Sequence, residues 1–265
     1  METRAARLGL GVWTMLVVLF LWIPLTIICV YAFNSSNIQS WPIAGFTLKW
    51  FRVAWHDAEA REALWLSAKA ALAATGIALL LGTMAAFAVA RFRFFGRDAV
   101  SFVLVLPIAL PGVITGIALA SFFSFGAITF SLWTIVIGHA TFCIVIVFNN
   151  VVARLRRAGA SLTEASMDLG ADGWQTFRYV TFPVLSTALI SGALLAFALS
   201  FDEVIVTTFT AGAQNTLPLW IFGNIRLGQQ LPEVNAVVFV VIAATVVPVT
   251  IAQRLTRDTG ILRRR

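Results

Sequence analysis

Residues 154–183 read RLRRAGASLTEASMDLGADGWQTFRYVTFP, a polar stretch set between two long apolar runs. It far exceeds the ~2–8 residues that usually connect packed helices, and it is patterned. Leu162, Ala165, Met167 and Leu169 suit a short amphipathic helix after a Ser161 or Thr163 cap. Gly170 is a natural C-terminal stop. A second short helix is expected from Asp172 toward Tyr179, ending before Pro183. Two short helices hinged at a glycine form a compact knob suited to docking another protein.

The flanking runs belong to a series. A hydrocarbon core about 30 Å thick takes about 20 apolar residues of helix. Six stretches qualify, at roughly 9–33, 64–90, 99–125, 131–153, 184–206 and 234–253. The chain is 60% hydrophobic and 12% charged, with a mean hydropathy of +0.90; soluble domains are about 45–50% apolar and about 25% charged. The fold class expected is all-α integral membrane. The net charge of +7 would suit nucleic acid, but the basic residues cluster between apolar runs, which the membrane explains without nucleic acid. The first run, Leu8 to Phe33, is longer than the ~7–15-residue core of a signal peptide and is expected to remain as a helix. Cys29 and Cys143 lie inside apolar runs without ligand spacing and read as small buried thiols. Pro107, Pro111, Gly112 and Gly116 break up the third run, either beside a pathway or for packing alone.

Loop charge gives orientation. Arg4 and Arg7 precede the first run, Arg91, Arg93 and Arg97 follow the second, Arg154, Arg156, Arg157 and Arg178 follow the fourth, and Arg254, Arg257, Arg263, Arg264 and Arg265 follow the sixth. The alternate loops carry Lys49, Arg52, Arg61 and Arg226, diluted by Asp57, Glu59, Glu62 and Glu233. The positive-inside rule places both termini in the cytoplasm. Five spans with one re-entrant segment would place them on opposite sides.

The opening stretch carries a family likeness. Glu164-Ala165-Ser166, three residues, Gly170, nine residues and Val180-Thr181-Phe182-Pro183 resembles the EAA loop of ABC importer permeases, whose pattern is EAA, three residues, G, nine residues, I-x-L-P. Ser166 and Phe182 are mild departures. The likeness extends over nearly the whole chain to the polyamine (spermidine/putrescine) branch, the PotC- and YdcV-like permeases, through YAFNSS (31–36), FTLKWF (46–51), RFRFFGRD (91–98), GHATFC (138–143) and LSFDEVIVTTFTAG (199–212). It implies a type I (MetI-like) permease fold with six transmembrane helices and a cytoplasmic coupling helix. The domains expected are an N-terminal transmembrane helix, 1–33; a five-helix core, 64–253, containing the coupling loop 154–183; and a cytoplasmic basic tail, 254–265.

The resemblance also implies partners: a second, homologous permease, two ATP-binding subunits, an extracytoplasmic solute-binding protein and the lipid of a bacterial inner membrane. ATP and Mg would be bound by the ATPase subunits, with no cofactor, metal or catalytic residue on this chain. No GxxxxGK[ST] phosphate loop occurs in it. Glu164, Ala165, Ser166, Asp168, Gly170 and Ala171 would form the coupling surface, Glu164 pairing with a basic group and the small residues allowing close approach.

Asp202 and Glu203 are the costliest residues near an apolar run, since carboxylates in a span usually face a cavity or partner. They lie about 28 Å of helix rise beyond Pro183, near the outer mouth. A dication needs carboxylates or aromatic faces, and the resemblance implies polyamine passage at this acidic pair. The alternative is a helix end reaching headgroup water. Neighbours sit about 100° apart on a helix, so one of the two is expected to line the path, with Asp202 preferred and Ser200 near the same lumen. Trp50 matches an aromatic of the family that bears on transport, or anchors the interface. His139 reads as a satisfied packing residue or as a proton relay. Where PotC-like members carry an Asp after the third-run proline, this chain has Gly112, as YdcV-like members do. That favours a smaller diamine or another amine-derived solute over spermidine. An ATP-independent transporter should show midplane charges or an internal repeat, and an intramembrane enzyme should show HExxH, GxSxG or an equivalent; the sequence offers none of these.

Overall fold

The computed structural model describes residues 4–159, 161–228 and 230–261, with side chains described from 6 to 246 within those ranges. The described residues are helical apart from connecting turns and one isolated bridge, Asn34 to Phe46. In chain order the helices are α1 (Arg4–Tyr31), α2 (Lys49–His56), α3 (Ala58–Arg91), α4 (Arg97–Ala109), α5 (Gly112–Phe125), α6 (Leu132–Ala158), α7 (Ser161–Asp168), α8 (Gly173–Thr176), α9 (Phe182–Phe201), α10 (Ile205–Thr210), α11 (Leu217–Leu227) and α12 (Leu231–Ile261). A π-helical turn, Phe177–Thr181, joins α8 to α9.

The chain groups into two units. The first holds residues 1–61 and 221–265. Here α1 is apolar all round, and its side chains from residue 6 to residue 27 are exposed, the pattern of a helix whose solvent is lipid. Phe33, Phe51 and Phe239 tie α2 and α12 to the end of α1, with ring centroids 5.0, 5.1 and 5.6 Å apart. Trp50 is buried beside them and donates its indole N–H to the Asn34 carbonyl at 2.7 Å.

The second unit, residues 62–220, is organised by a ridge of small residues on α3. Ala70, Ala74, Ala78, Gly82 and Ala86 recur every fourth position and are all buried. Without a hydrophobic force between helices in lipid, close backbone approach through such a ridge gives the packing its strength. A Cβ on Gly82 would lie 2.9 Å from the Ile144 carbonyl and 3.0 Å from the Val147 Cβ. Ala78, Ala86, Cys143, Val147, Val151, Leu185 and Ala196 form the core where α3, α6 and α9 meet.

Among the described residues, four helices are long and apolar enough to cross a membrane, or up to five when α4 and α5 count as one span. The expected sixth span, 234–253, lies in α12, whose side chains beyond 246 fall outside the described residues, as do residues 262–265 of the basic tail. The third span is bent by 105° where α4 gives way to α5, with Leu110 and Pro111 extended between them. Arg97 follows closely on Arg91, which bonds Thr163 of α7. Phe130, just beyond α5, packs at Gly212 beside the start of α6. The fifth span differs from its sequence boundaries: one apolar helix runs Gly173–Phe201 and stops at Asp202 rather than near 206. The second knob helix likewise runs on through Pro183 instead of ending before it. Pro183 cannot donate, and the π-helical register, with Phe182 N–H on the Phe177 carbonyl, loosens the turn in which its partner carbonyl sits.

Replacing Gly82 with Ala is expected to destabilise the assembled protein by about 1–3 kcal/mol, the usual consequence of overfilling a packed core. Thermal unfolding followed by tryptophan fluorescence checks this, with Gly76→Ala, where the added Cβ meets nothing within 4 Å, as the silent control.

Candidate functional site

Two places in the second unit combine exposure with specific chemistry. The first is the end of α9. The helix stops at Phe201, Asp202 caps it, and α10 restarts at Ile205. An interruption in an apolar setting leaves backbone groups that must find partners. Glu203 supplies one, its Oε1 accepting the Val206 N–H at 2.9 Å. The Thr207 hydroxyl donates to the Glu203 carbonyl at 2.7 Å.

His139 bridges the interruption from α6. Its Nδ1 is 2.7 Å from the Ser200 hydroxyl on one side, and its Nε2 is 2.8 Å from the Thr207 hydroxyl on the other. All three residues are buried. Thr207 has a single hydroxyl proton and gives it to Glu203, so it accepts from His139. The imidazole is therefore the neutral Nε2–H tautomer, and its Nδ1 accepts from Ser200. His139 is a satisfied buried histidine, as one of the two readings of the sequence had it, and it clamps the two flanks of the break.

The break separates the acidic pair. Glu203 is half-buried and turned into the chain, whereas Asp202 is exposed, with no hydrogen bond to its carboxylate among the described residues. Ser200 is held against His139. Trp50 lies in the other unit with its N–H engaged and the Lys49 ammonium 4.7 Å from its ring centre, a strut between α2 and the end of α1. The α3 ridge, Thr207 and the Ser200–His139–Thr207 chain were missed in the sequence; only the recurrence of small residues every fourth position in 70–86 could have signalled one of them.

The second place is the knob. Gly170, at φ +87°, ends α7 in a double backbone closure: Gly170 N–H to Met167 at 2.9 Å and Ala171 N–H to Ser166 at 3.1 Å, the Schellman pattern. Asp172 and Gln175 cap α8 reciprocally, at 2.8 and 3.0 Å. The Ser166 and Thr176 hydroxyls join the two helices at 3.1 Å. Arg91 braces α7 through Thr163 at 2.8 Å, and Arg154 Nε bonds the Val184 carbonyl at 2.8 Å. Glu164, Ala165 and Asp168 are exposed, Ala171 is half-buried, and Leu162, Met167, Leu169, Trp174 and Tyr179 present apolar surface to the outside. Apolar surface concentrated on a polar, well-capped element marks an interaction site.

Comparison with known proteins identifies the family. The family model described as "Binding-protein-dependent transport system inner membrane component" matches residues 78–257. The chain belongs to this family. It is 36% identical over 234 residues to the putrescine transport system permease protein PotI of Escherichia coli (strain K12), covering 85% of this chain and 82% of that protein. It is 32% identical over 241 residues to the spermidine/putrescine transport system permease protein PotC of the same strain, covering 90% of each. Its fold matches, with a TM-score of 0.67 and 17% identity over 96% of this chain and 98% of the other, a crystal structure of a bacterial ABC transporter involved in the import of the acidic polysaccharide alginate.

As a permease component of an ABC importer, the chain is a membrane subunit related to polyamine permeases, and non-catalytic character follows from the family. Among the described residues, no group of three or more His, Cys, Asp or Glu is placed to hold a metal ion. Replacing His139 with Ala strands the Ser200 hydroxyl and is expected to destabilise the permease by about 1–3 kcal/mol. The expected readout is a lowered Tm of the detergent-solubilised complex, recovered in part by His139→Gln, which keeps a donor and an acceptor.

Proposed function

We propose that this permease forms half of an ATP-driven import pathway for a cationic diamine of the putrescine type, with Asp202 as the carboxylate met by the entering solute. The observation that carries the reading is the exposed Asp202 carboxylate, unbonded at a helix break whose other polar groups are engaged. A desolvated ammonium group gains most from such an unpaired negative charge. The names of the relatives at 36% and 32% identity support a polyamine-type solute. Ser200 acts through His139, and Glu203 holds the break. Trp50 serves the pathway by fixing α2.

In this reading a second, homologous permease supplies the other half of the pathway, a solute-binding protein delivers the diamine, and two ATPase subunits bind ATP and Mg. The knob, residues 161–176, is the coupling element. Glu164 pairs with a basic group of the ATPase, Ala165 and Ser166 permit close approach, Asp168 and Ala171 flank the contact, and Gly170 sets the angle between α7 and α8. In this reading the bent third span is one crossing and α12 is another. That gives six spans and two cytoplasmic termini. ATP drives net movement only because nucleotide changes the relative free energy of inward- and outward-open states. Gly112 favours a short diamine or another amine-derived solute over spermidine. Its position packs on Ile205, where an added Cβ would lie in ordinary contact, 3.4 Å from the Ile205 Cγ2.

The test is uptake of labelled putrescine by the complete complex in proteoliposomes. Uptake is expected only with ATP; undiminished uptake without it would sink the reading. Asp202→Asn is expected to lower putrescine uptake at least about tenfold, the loss of one charge interaction of about 1.4 kcal/mol or more; normal transport by this variant would remove Asp202 from the pathway. Glu164→Ala is expected to cut ATP-dependent uptake while the affinity of the free binding protein for putrescine, measured by calorimetry, stays unchanged.

A further inference from the structure

In the first unit, the joint between α2 and α3 and the start of α12 line a cavity of about 470 Å³ with Arg52, Val53, His56, Asp57, Gln230 and Glu233. Glu233 is 3% exposed, and its Oε1 has no hydrogen-bond partner. A buried carboxyl oxygen without a partner is costly, so its environment is incomplete as it stands. Asp57 lies within hydrogen-bonding reach of the Glu233 carboxyl. Its Oδ1 already accepts the Glu59 N–H at 2.8 Å, which fixes the carboxylate at the head of α3.

We propose that this cavity is a binding site for a primary ammonium group, held by the carboxyls of Glu233 and Asp57 and the side-chain amide oxygen of Gln230. An –NH3⁺ group carries three donors in a compact head, and these three side chains offer it three oxygen acceptors. A metal ion fits less well, because the described residues place no group of three or more His, Cys, Asp or Glu together. Arg52 and His56 are exposed, and the His56 Nδ1 is engaged by the Arg52 carbonyl at 2.8 Å. Their donors stand at the exposed edge, so the ammonium is met by the buried oxygens rather than by these two side chains.

Burial, with the charge and hydrogen bond of neighbouring Asp57, pushes the Glu233 carboxyl up to about 7. Entry of the ammonium displaces the Glu233 proton to water and leaves its carboxylate facing the cation. The other titratable groups around the pair are Arg52 and His56 on α2, Glu59, and Arg61, whose Nε donates to the Asp57 carbonyl at 3.3 Å. Protons compete with the amine for the same oxygens, so amine binding weakens as pH falls. The site is separate from Asp202 in residues and in structural unit, and it needs only a primary amine, not a diamine.

The experiment uses the complete transporter complex in lipid nanodiscs, with butylamine as the probe and butanol as the neutral control. Infrared difference spectra are expected to show loss of the protonated-carboxyl C=O band on adding butylamine, with proton release seen by a pH dye and no response to butanol. Glu233→Gln is expected to weaken the response at least tenfold, and Asp202→Asn to leave it intact. Asp57→Asn, which keeps a side-chain oxygen to cap α3, gives the same comparison if Glu233→Gln fails to assemble. A native complex whose carboxyl band ignores butylamine, or a variant of either carboxyl that responds as the native complex does, overturns the proposal. ATP-driven putrescine uptake measured on the same preparation separates the two readings: loss of uptake with the spectral response intact counts against the transport reading alone.

Discussion

A helix in hydrocarbon carries its own hydrogen bonds, and every interruption has to be repaired by the chain itself. The architecture of the second unit follows from this constraint. At the end of α9 the repair is made by Glu203, Thr207 and, across from α6, His139. At Pro183 it is made by widening one turn to π geometry. Where α4 meets α5 the extended pair Leu110–Pro111 is exposed, and the turn that follows is packed, with Gly112 against Ile205 and Gly116 so close to Phe209 that a Cβ would meet its ring at 2.5 Å. Each irregularity is thus a place where distant elements are held together.

The regular parts have the opposite character. The ridge on α3 offers α6 no polar handle and no bulky knob, only close approach. Packing of this kind is strong when the backbones are near and indifferent to small translations along the ridge. The fixed points of the unit are therefore the His139 bridge, away from the knob, and the Arg91–Thr163 and Arg154–Val184 braces beside it. The Arg91–Thr163 brace ties α7 to α3, and the Arg154–Val184 brace ties α6 to α9.

Much of this was legible in the sequence. Apolar length revealed four of the six expected spans, or five with the bent pair, and the knob's first helix and its stop at Gly170 followed from local rules, because caps and glycine turns are decided by neighbouring residues. The second knob helix was half-read. Asp172 and Gln175 behave as the local pattern says, but Pro183, taken as a barrier, is absorbed by a register change no periodicity reveals. The end of α9 was placed a few residues late, since the Asp202–Glu203 pair was read inside the span rather than as its stop; the break depends on partners 61 and 68 positions away from His139. The 105° bend was seen only as a proline kink, because its size depends on what packs around Gly112 and Gly116. The meeting of Asp57 with Glu233 was not visible at all, since it joins two loops distant in the chain.

The closures of α7 and α8 have one more consequence. Their ends are finished by Gly170, Ala171, Asp172 and Gln175 from within the same segment, and the two helices are pinned to each other by Ser166 and Thr176. The segment is a moulded plug rather than a tape that must be shaped on contact. In the coupling role proposed above, association with a socket loses little conformational entropy, and a push on the plug is not dissipated in bending it.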